Sequence, residues 1–219
     1  MRILNLFAGI GGNRTLWGDK HEITAVEYDQ KIAMIYLKRF PKDKVIVGDA
    51  YEYFLKHFDE YDFIWASPPC TTHTGLVLCN MGHRKKGYNK YGKLPDLRLY
   101  SLIIFCQSHF EGKYVIENVK PYYKALLPPN TIIGRHYIWT NIPILTKTKT
   151  MKAFKGFDNE ITEDFLISKG IDKETMDLLN KSSIKNKKQV LNNCVFPEEG
   201  KYILDSIINK KQTSLEVFQ

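Results

Sequence analysis

The chain has 219 residues and a hydrophobic fraction of 43%, which suits one domain with a small appendage and excludes a chain that is disordered throughout. A formal net charge of +8 favours a polyanionic partner, with nucleic acid as the first candidate. Four scattered cysteines without a C-x-x-C pair argue against a metal site or a disulfide framework and suit a reducing cytoplasm, and no apolar run approaches the roughly 18 residues of a membrane span.

A strand, a glycine-rich turn and a helix start open the chain. The apolar run at residues 2–7 predicts a strand, residues 8–12 form the turn, and residues 13–17 indicate the beginning of a helix. This order is typical of the first βα unit of a nucleotide-binding sheet, because glycine permits a tight turn and a close backbone approach to a ligand.

The next two predicted strands each end in an acidic residue. Residues 23–26 precede Glu27 and Tyr28, and residues 45–47 precede Gly48 and Asp49; predicted helices follow both strands. A carboxylate about 20 residues after the glycine turn suits hydrogen bonding to ribose hydroxyls, and a neighbouring aromatic ring suits stacking on a purine. A solvated strand end and ordinary packing are the alternatives for these side chains.

A fourth predicted strand, residues 63–66, ends at a double proline followed by Cys70. Proline cannot donate to a sheet ladder, so the strand stops and the thiol falls at its carboxyl end, where open α/β sheets bind ligands. A buried structural cysteine is the alternative, since free cysteine is among the most buried residue types. The double proline and the neighbouring motifs favour a reactive thiol.

Residues 71–95 are dominated by glycine, asparagine, tyrosine and basic residues. A long loop inside a compact domain is usually functional or disordered. Basic residues interleaved with tyrosines suit a mobile flap over a phosphate backbone, with a solvated loop as the alternative. The candidate nucleic-acid contacts are Thr72, His73, Arg84, Lys85, Lys86 and Lys90.

The second half of the chain continues the alternation. A helix with an aspartate cap is predicted at 96–110, a fifth strand at 113–116 ends in Glu117, and one further strand at 132–139 carries Arg135. Polar, lysine-rich sequence follows, with two short helices and a closing helix. The alternation predicts an α/β fold with a mostly parallel twisted sheet and helices on both faces.

Four motifs, in this order, resemble those of the cytosine-C5 DNA methyltransferases. They are Phe7–Gly12, Pro68–Cys70, Glu117–Val119 and the late Asn193-x-Val195-x-Pro197. The resemblance covers nearly the whole chain except roughly 146–186. It implies a Rossmann-like methyltransferase fold, S-adenosylmethionine as methyl donor with S-adenosylhomocysteine as product, and duplex DNA with a flipped-out cytosine as partner.

The same resemblance implies roles for individual residues. By matching position, Cys70 adds to C6 of cytosine, Glu117 holds N3 and the exocyclic amine, and Arg135 contacts O2. Covalent addition at C6 makes C5 nucleophilic enough to accept a methyl group. The implied cofactor positions are Phe7, Ala8, Gly9, Ile10, Gly12, Glu27, Tyr28, Asp49, Ala50, Pro68, Asn193 and Val195, with Glu27 for the ribose, Tyr28 for the adenine face and Asp49 for the adenine amine.

Three parts of the chain are expected: a catalytic and cofactor-binding domain at 1–145, a small target-recognition insertion at 146–187, and a C-terminal segment at 188–219 that returns to the catalytic domain. The insertion is much shorter than is usual in the family. A very short recognition site, a partner subunit that supplies recognition, and another acceptor all remain open. The acceptor alternatives are tRNA cytosine and a free pyrimidine nucleotide, and a catalytically inactive nucleic-acid-binding subunit is the alternative from another class.

Overall fold

The computed structural model describes residues 1–75, 94–143 and 161–216, with side chains up to residue 208. Within these ranges seven strands form one sheet. They are β1 (Arg2–Leu6), β2 (Glu22–Glu27), β3 (Lys44–Val47), β4 (Phe63–Ala66), β5 (Lys113–Val119), β6 (Thr131–Ile133) and β7 (His136–Thr140).

The strands lie in the order β3-β2-β1-β4-β5-β7-β6. The pairs from β3 to β5 are parallel, whereas β7 runs antiparallel between β5 and β6. The carboxyl ends of β1, β2, β4 and β5 therefore meet at one edge. This is the edge at which the sequence places the glycine turn and the candidate catalytic side chains.

Helices connect and cover the strands. They are α1 (Gln30–Arg39), α2 (Ala50–His57), α3 (Arg98–His109), α4 (Glu163–Ser168), α5 (Lys173–Lys181), α6 (Lys187–Asn192) and α7 (Pro197–Glu216), with 3-10 helices at Asn13–Leu16 and Phe58–Glu60. Side-chain oxygens cap the backbone at the start of several of them; for example, Asp29 accepts from Lys31 and Ile32, and Asp172 accepts from Thr175. No helix among the described residues is long and apolar enough to cross a membrane.

Alternate residues of the central strands build two cores. Leu4 packs on one face of the sheet with Phe54 of α2 and Ile103 of α3. Ile3 packs on the other face with Ile203 of α7. Because both faces are covered, β1 and β4 have nearly continuous apolar sequences, as buried parallel strands do. The predicted fold class, an α/β sheet with helices on both faces, is confirmed.

Some local predictions are wrong. The single strand predicted at 132–139 is a hairpin, because Gly134 adopts a φ of +57° and turns the chain between β6 and β7. The predicted aspartate cap of α3 is not at the cap position: Leu97 is the N-cap residue, and Asp96 accepts from the backbone of Arg98. Helix α6 has no predicted counterpart, since its lysine-rich sequence carries little apolar periodicity.

The described part of the expected insertion packs on the sheet domain. Ile171 and Leu179 share a buried cluster with Ile10 of the glycine turn, Ile35 of α1 and Leu191 of α6. Residues 161–187 thus belong to the same core as the predicted cofactor site. The boundaries at 145 and 187 remain predictions, and residues 144–160 lie outside the described residues.

Candidate active site

The glycine turn adopts a backbone conformation that few residues tolerate. Gly9 and Gly11 have φ values of +56° and +80°, and Phe7, at +57°, is the one non-glycine residue with positive φ within the described ranges. A Cβ atom at Gly11 would lie 2.4 Å from the ring of Phe40, whereas a Cβ at Gly9 would meet nothing within 4 Å. The turn therefore packs against Phe40 at Gly11 but has free space around Gly9. A backbone that contacts a ligand needs such free space.

Glu27 braces this turn. Its Oε2 atom accepts a hydrogen bond from the Gly9 amide at 2.9 Å, and its Oε1 atom accepts one from the Asp29 amide at 2.9 Å. Burial raises the pKa of Glu27, and these backbone bonds lower it. Each carboxylate oxygen keeps acceptor capacity, so the predicted ribose contact is compatible with the bracing role.

The other two predicted adenosine contacts differ in their surroundings. Tyr28 is 78% exposed, so its ring is accessible for stacking. Asp49 is the N-cap of α2 and accepts from the amides of Tyr51 and Glu52 at 2.8 and 3.1 Å, all through Oδ1. Sequence analysis missed this capping role, although an aspartate before a helix is a common signal for it. Ala50, the first residue of the helix, is buried.

The late motif lies against the glycine turn. A Cβ atom at Gly12 would lie 2.4 Å from the carbonyl oxygen of Val195 and 3.0 Å from Cβ of Cys194. Val195 is buried and Asn193 is exposed at the end of α6. The two motifs, at opposite ends of the chain, therefore form one surface.

The loop that carries Cys70 is fastened to β5. The side-chain amide of Asn118 donates to the carbonyl of Pro68 at 2.9 Å. The carbonyl of Cys70 accepts from the amides of His73 and Thr74 at 2.9 and 3.0 Å, which closes a turn directly after the cysteine. Cys70 itself is partly buried.

Glu117 is only 8% exposed and is held from two sides. Its Oε2 accepts from the hydroxyl of Ser67 at 2.9 Å, and Ser67 accepts in turn from the indole of Trp65 at 2.9 Å. Its Oε1 lies 3.8 Å from Nε2 of His136, whose Nδ1 is buried without a partner among the described residues. Sequence analysis did not assign Ser67 or His136 a role in this site.

The three predicted catalytic residues interact electrostatically. Burial raises the pKa of the Cys70 thiol most, and the carboxylate of Glu117 raises it further, while the guanidinium of Arg135 lowers it. Arg135 is exposed in the β6–β7 turn, and its carbonyl accepts from the amide of Lys120 at 3.0 Å. The loop after β4 and the β6–β7 hairpin thus both lie beside the end of β5, and each of these three segments carries one of the predicted catalytic residues.

The predicted nucleic-acid contacts fall into two groups. His73 is only 1% exposed and its Nδ1 lies 2.6 Å from the hydroxyl of Tyr123, so its side chain anchors the loop; its contact with nucleic acid stays a prediction. The hydroxyl of Thr72 accepts from the amide of Asp96 at 3.1 Å, ahead of α3. Arg84, Lys85, Lys86 and Lys90 lie outside the described residues.

The sheet and the edge site define a Rossmann-like methyltransferase fold. The family of C-5 cytosine-specific DNA methylases matches residues 1–120, which is more than half of the 219-residue chain. The chain therefore belongs to this family. The family uses S-adenosylmethionine, which is accordingly the cofactor of this chain.

Solved structures with a similar fold are distant. S-adenosylmethionine-dependent methyltransferase from Agrobacterium tumefaciens is 16% identical over 56% of this chain and 40% of its own, with a TM-score of 0.40. SMU.776, provisionally assigned as a methyltransferase and solved with S-adenosylhomocysteine, is 18% identical over 53% and 30%, with a TM-score of 0.36. A provisionally assigned DNA modification methyltransferase from an Escherichia coli prophage is 21% identical over 57% and 33%, with a TM-score of 0.36.

The chain spans 30% to 40% of the length of these three structures. No curated protein is significantly similar to it. The family assignment therefore depends on the match over residues 1–120.

Proposed function

We propose that this chain transfers a methyl group from S-adenosylmethionine to C5 of cytosine in DNA, through a covalent bond between Sγ of Cys70 and C6 of the base. The observation that carries the proposal is the contact between two neighbouring strand ends: Ser67, after β4, donates to Glu117 of β5 at 2.9 Å, and Asn118 donates at 2.9 Å to the carbonyl of Pro68, two residues before Cys70. The nucleophile and the groups that stabilise the base must contact the same ring. A thiol, a carboxyl and a guanidinium that serve one reaction therefore have to lie close together.

The residues around the glycine turn fit the cofactor. Gly9 presents open backbone, Glu27 retains acceptor capacity for the ribose, and the ring of Tyr28 is accessible to the adenine. When bound there, S-adenosylmethionine supplies the methyl group as an electrophile. The other cofactor positions named above, including Asp49, Asn193 and Val195, are proposed to complete this site.

Cys70 and Glu117 act on different atoms of the cytosine ring. The Cys70 sulfur forms a bond to C6, and electron density moves through the ring to C5 and N3. A protonated or hydrogen-bonding Glu117 stabilises the charge that develops at N3. Burial first and Glu117 second raise the pKa of the Cys70 thiol, so its proton has to leave Sγ as the bond to C6 forms.

The reaction closes when a base from solvent accepts the C5 proton, and the electron pair of that bond forms the C5–C6 double bond and expels the Cys70 thiolate. Arg135 is proposed to hold O2 of the base during these steps. A cytosine in a duplex must leave the helical stack to reach a thiol in this loop, so the proposal includes base flipping.

The net charge of the chain indicates which kind of molecule accepts the methyl group. Neutralising a phosphate backbone needs many cations, and the formal charge of +8 therefore favours a polymer over a free nucleotide. Transfer of tritium from labelled S-adenosylmethionine to duplex DNA, tRNA and dCMP distinguishes the acceptors. We expect labelled duplex DNA; labelling of tRNA or dCMP alone would select the corresponding alternative.

Substitution of the nucleophile distinguishes an enzyme from an inactive binding subunit. Cys70→Ser should lower methyl transfer by about a thousandfold or more while cofactor binding persists, because the hydroxyl is a far weaker nucleophile. Cys106→Ala, which changes a buried cysteine of α3 outside the site, is the matched control. Absence of transfer by the parent protein to every acceptor would favour the binding subunit.

The DNA sequence at which the protein acts is best determined from DNA that it has modified. Bisulfite sequencing of DNA from cells that express the protein reports both the modification and its sequence context. A short context would fit the small insertion, and modification only with a co-expressed partner would indicate a separate recognition subunit.

A further inference from the structure

A serine lies between the two strand ends that carry the candidate nucleophile and the candidate catalytic carboxyl group. Ser67 directly follows β4, and the register of the parallel β4–β5 pair sets Ala66 opposite Ile116. One further step along both strands brings Ser67 beside Glu117, with the two side chains on the same face of the sheet. The strand pairing therefore places a hydroxyl group at the carboxyl group of Glu117.

The backbone around Ser67 is held by both neighbouring strands. The Ser67 amide donates to the carbonyl of Leu6, at the end of β1, at 3.4 Å. On the other side, the side-chain amide of Asn118 in β5 donates to the carbonyl of Pro68 at 2.9 Å. The proline ring also restricts the backbone of this segment. The position of the Ser67 hydroxyl is therefore determined by β1 and β5 together.

The hydrogen bonds of the Ser67 side chain run in one direction. The indole nitrogen of Trp65 can only donate, and it donates to Oγ of Ser67 at 2.9 Å. The hydroxyl group has one proton, which it donates to Oε2 of Glu117 at 2.9 Å. Trp65 is only 1% exposed, so its indole is a fixed start for this chain of two hydrogen bonds.

This direction distinguishes the two carboxyl oxygens of Glu117. Because Oε2 accepts from Ser67, a proton on the carboxyl group belongs on Oε1. Oε1 lies 3.8 Å from Nε2 of His136, which is longer than a hydrogen bond. Oε1 is therefore the oxygen that remains available to a base at this edge of the sheet.

We propose that Ser67 is a positioning residue of the methyl-transfer site: its hydroxyl group, held by the indole of Trp65, orients Glu117 so that Oε1 meets N3 of the cytosine. This role rests on the proposed function of Glu117. Ser67 touches neither the base nor the methyl donor, and it acts by fixing which carboxyl oxygen faces the ring. Without the hydroxyl group, the Glu117 carboxyl can turn and hold its proton on either oxygen.

A double-mutant cycle tests whether Ser67 acts through Glu117. Ser67→Ala should lower the kcat of methyl transfer about a hundredfold, because a displacement of about 1 Å at a catalytic group can have an effect of this size. The KM for S-adenosylmethionine should stay close to the parent value, since Ser67 is not among the proposed cofactor positions. In a Glu117→Ala background, Ser67→Ala should have little further effect on kcat.

Two further variants complete the kinetic test. Ser67→Thr keeps a hydroxyl group and should return kcat towards the parent value. Ser101→Ala is the matched control, because it removes an exposed serine hydroxyl of α3 that donates to the carbonyl of Leu97 at 3.3 Å. It should leave kcat unchanged.

Nitrogen-15 NMR of labelled tryptophan follows the same hydrogen bonds without substrate. The indole signals are assigned from NOEs within each tryptophan. In Ser67→Ala the indole proton of Trp65 loses its acceptor, so its signal should move upfield. The indole of Trp139, which donates to the carbonyl of Leu127 at 3.1 Å, is the internal reference and should not move.

An unmoved Trp65 signal, an unchanged kcat, or an equal loss of kcat in the parent and in the Glu117→Ala background would overturn the proposal. If Ser67→Ala does not fold, Ser67→Cys is judged by the same kinetic and NMR criteria, because a thiol is of similar size but a weak donor. A parent that transfers no methyl group to any acceptor would refute the proposed function. An active parent whose kcat is indifferent to Ser67→Ala would refute the positioning role alone.

Discussion

The thiol of Cys70 is the most informative single group in this molecule. Its pKa is raised by burial first and by Glu117 second, and is lowered by Arg135. We predict that alkylation of Cys70 by iodoacetamide at pH 8 is slow in the parent, faster in Glu117→Gln and slower in Arg135→Gln. A shift of one pKa unit changes the thiolate fraction about tenfold when the thiol is mostly protonated.

Peptide mapping by mass spectrometry separates Cys70 from the buried Cys106 and Cys194. Arg98→Gln, which removes an exposed arginine paired with Asp96, serves as the control. Rates that move in the same direction in the two site variants would contradict the electrostatic arrangement described here.

The raised pKa of Glu199 predicts a pH-dependent stability. Burial raises this pKa to about 7 in the folded protein, above the ordinary glutamate value, so the folded state holds the proton more tightly. The contribution is fully present below about pH 4.5 and is lost as the pH rises through about 7, by at most about 3 kcal/mol. In Glu199→Gln the unfolding free energy should depend less on pH between 5 and 8.

Urea unfolding at pH 5 and pH 8 measures this difference, with Glu198→Gln, an exposed neighbour, as the control. Equal pH dependence in the parent and in Glu199→Gln would show that Glu199 is not the group responsible.

At the scale of elements, the contact between the glycine turn and the late motif predicts that a side chain at Gly12 destabilises the fold. A methyl group at Gly12 would lie 2.4 Å from the Val195 carbonyl, so Gly12→Ala must displace one backbone segment. We expect a loss of about 2 kcal/mol or more in unfolding free energy and weaker cofactor binding.

Gly48→Ala is the matched stability control, because a Cβ there meets nothing within 4 Å and its φ is not in the left-handed region. Thermal unfolding of both variants and calorimetric titration with S-adenosylhomocysteine provide the measurements. Equal melting temperatures of Gly12→Ala and Gly48→Ala would mean that the glycine turn and the late motif are not in contact.

The packing of α5 on the sheet domain can be tested in the same way. Leu179 is fully buried in the cluster with Ile10 and Ile35, so Leu179→Ala should cost about 2–5 kcal/mol of unfolding free energy. Ile167→Ala, at a largely exposed position of α4, should cost within about 0.5 kcal/mol. A Leu179→Ala cost as small as that of Ile167→Ala in urea unfolding would indicate that α5 does not dock on the sheet domain.

The elements that could be predicted are those whose local signals agree. The apolar runs of β1 and β4 end at a glycine-rich turn and at a double proline, so both strands could be predicted. The β6–β7 hairpin was missed because only the conformation of Gly134 separates it from a continuous strand. Helix α6 depends on burial of Leu191 against distant residues, which no local pattern records.

For the molecule as a whole, the strand order determines which site residues share an edge of the sheet, and only part of that order can be predicted from the sequence. Parallel strands predict that Cys70 and the Glu117 carboxylate share one edge of the sheet, and that expectation needs only the β-α alternation. The antiparallel β7 beside β5 brings Arg135 and His136 to the same edge, and this pairing cannot be predicted from the sequence. The burial of His73 and of Lys169 is likewise a property of the assembled fold, because side chains of these polar types are usually exposed.

The central claim is a covalent bond between Cys70 and the base, and one trapping experiment tests it most directly. In duplex DNA with 5-fluorocytosine at the target, C5 carries no proton that a base can remove after methylation, so the Cys70 adduct cannot eliminate. Incubation with S-adenosylmethionine should give a protein–DNA adduct that peptide mass spectrometry places on Cys70, and Cys70→Ser should give none. An adduct on another residue, or methylation of ordinary cytosine with no adduct on the fluorinated base, would contradict the account.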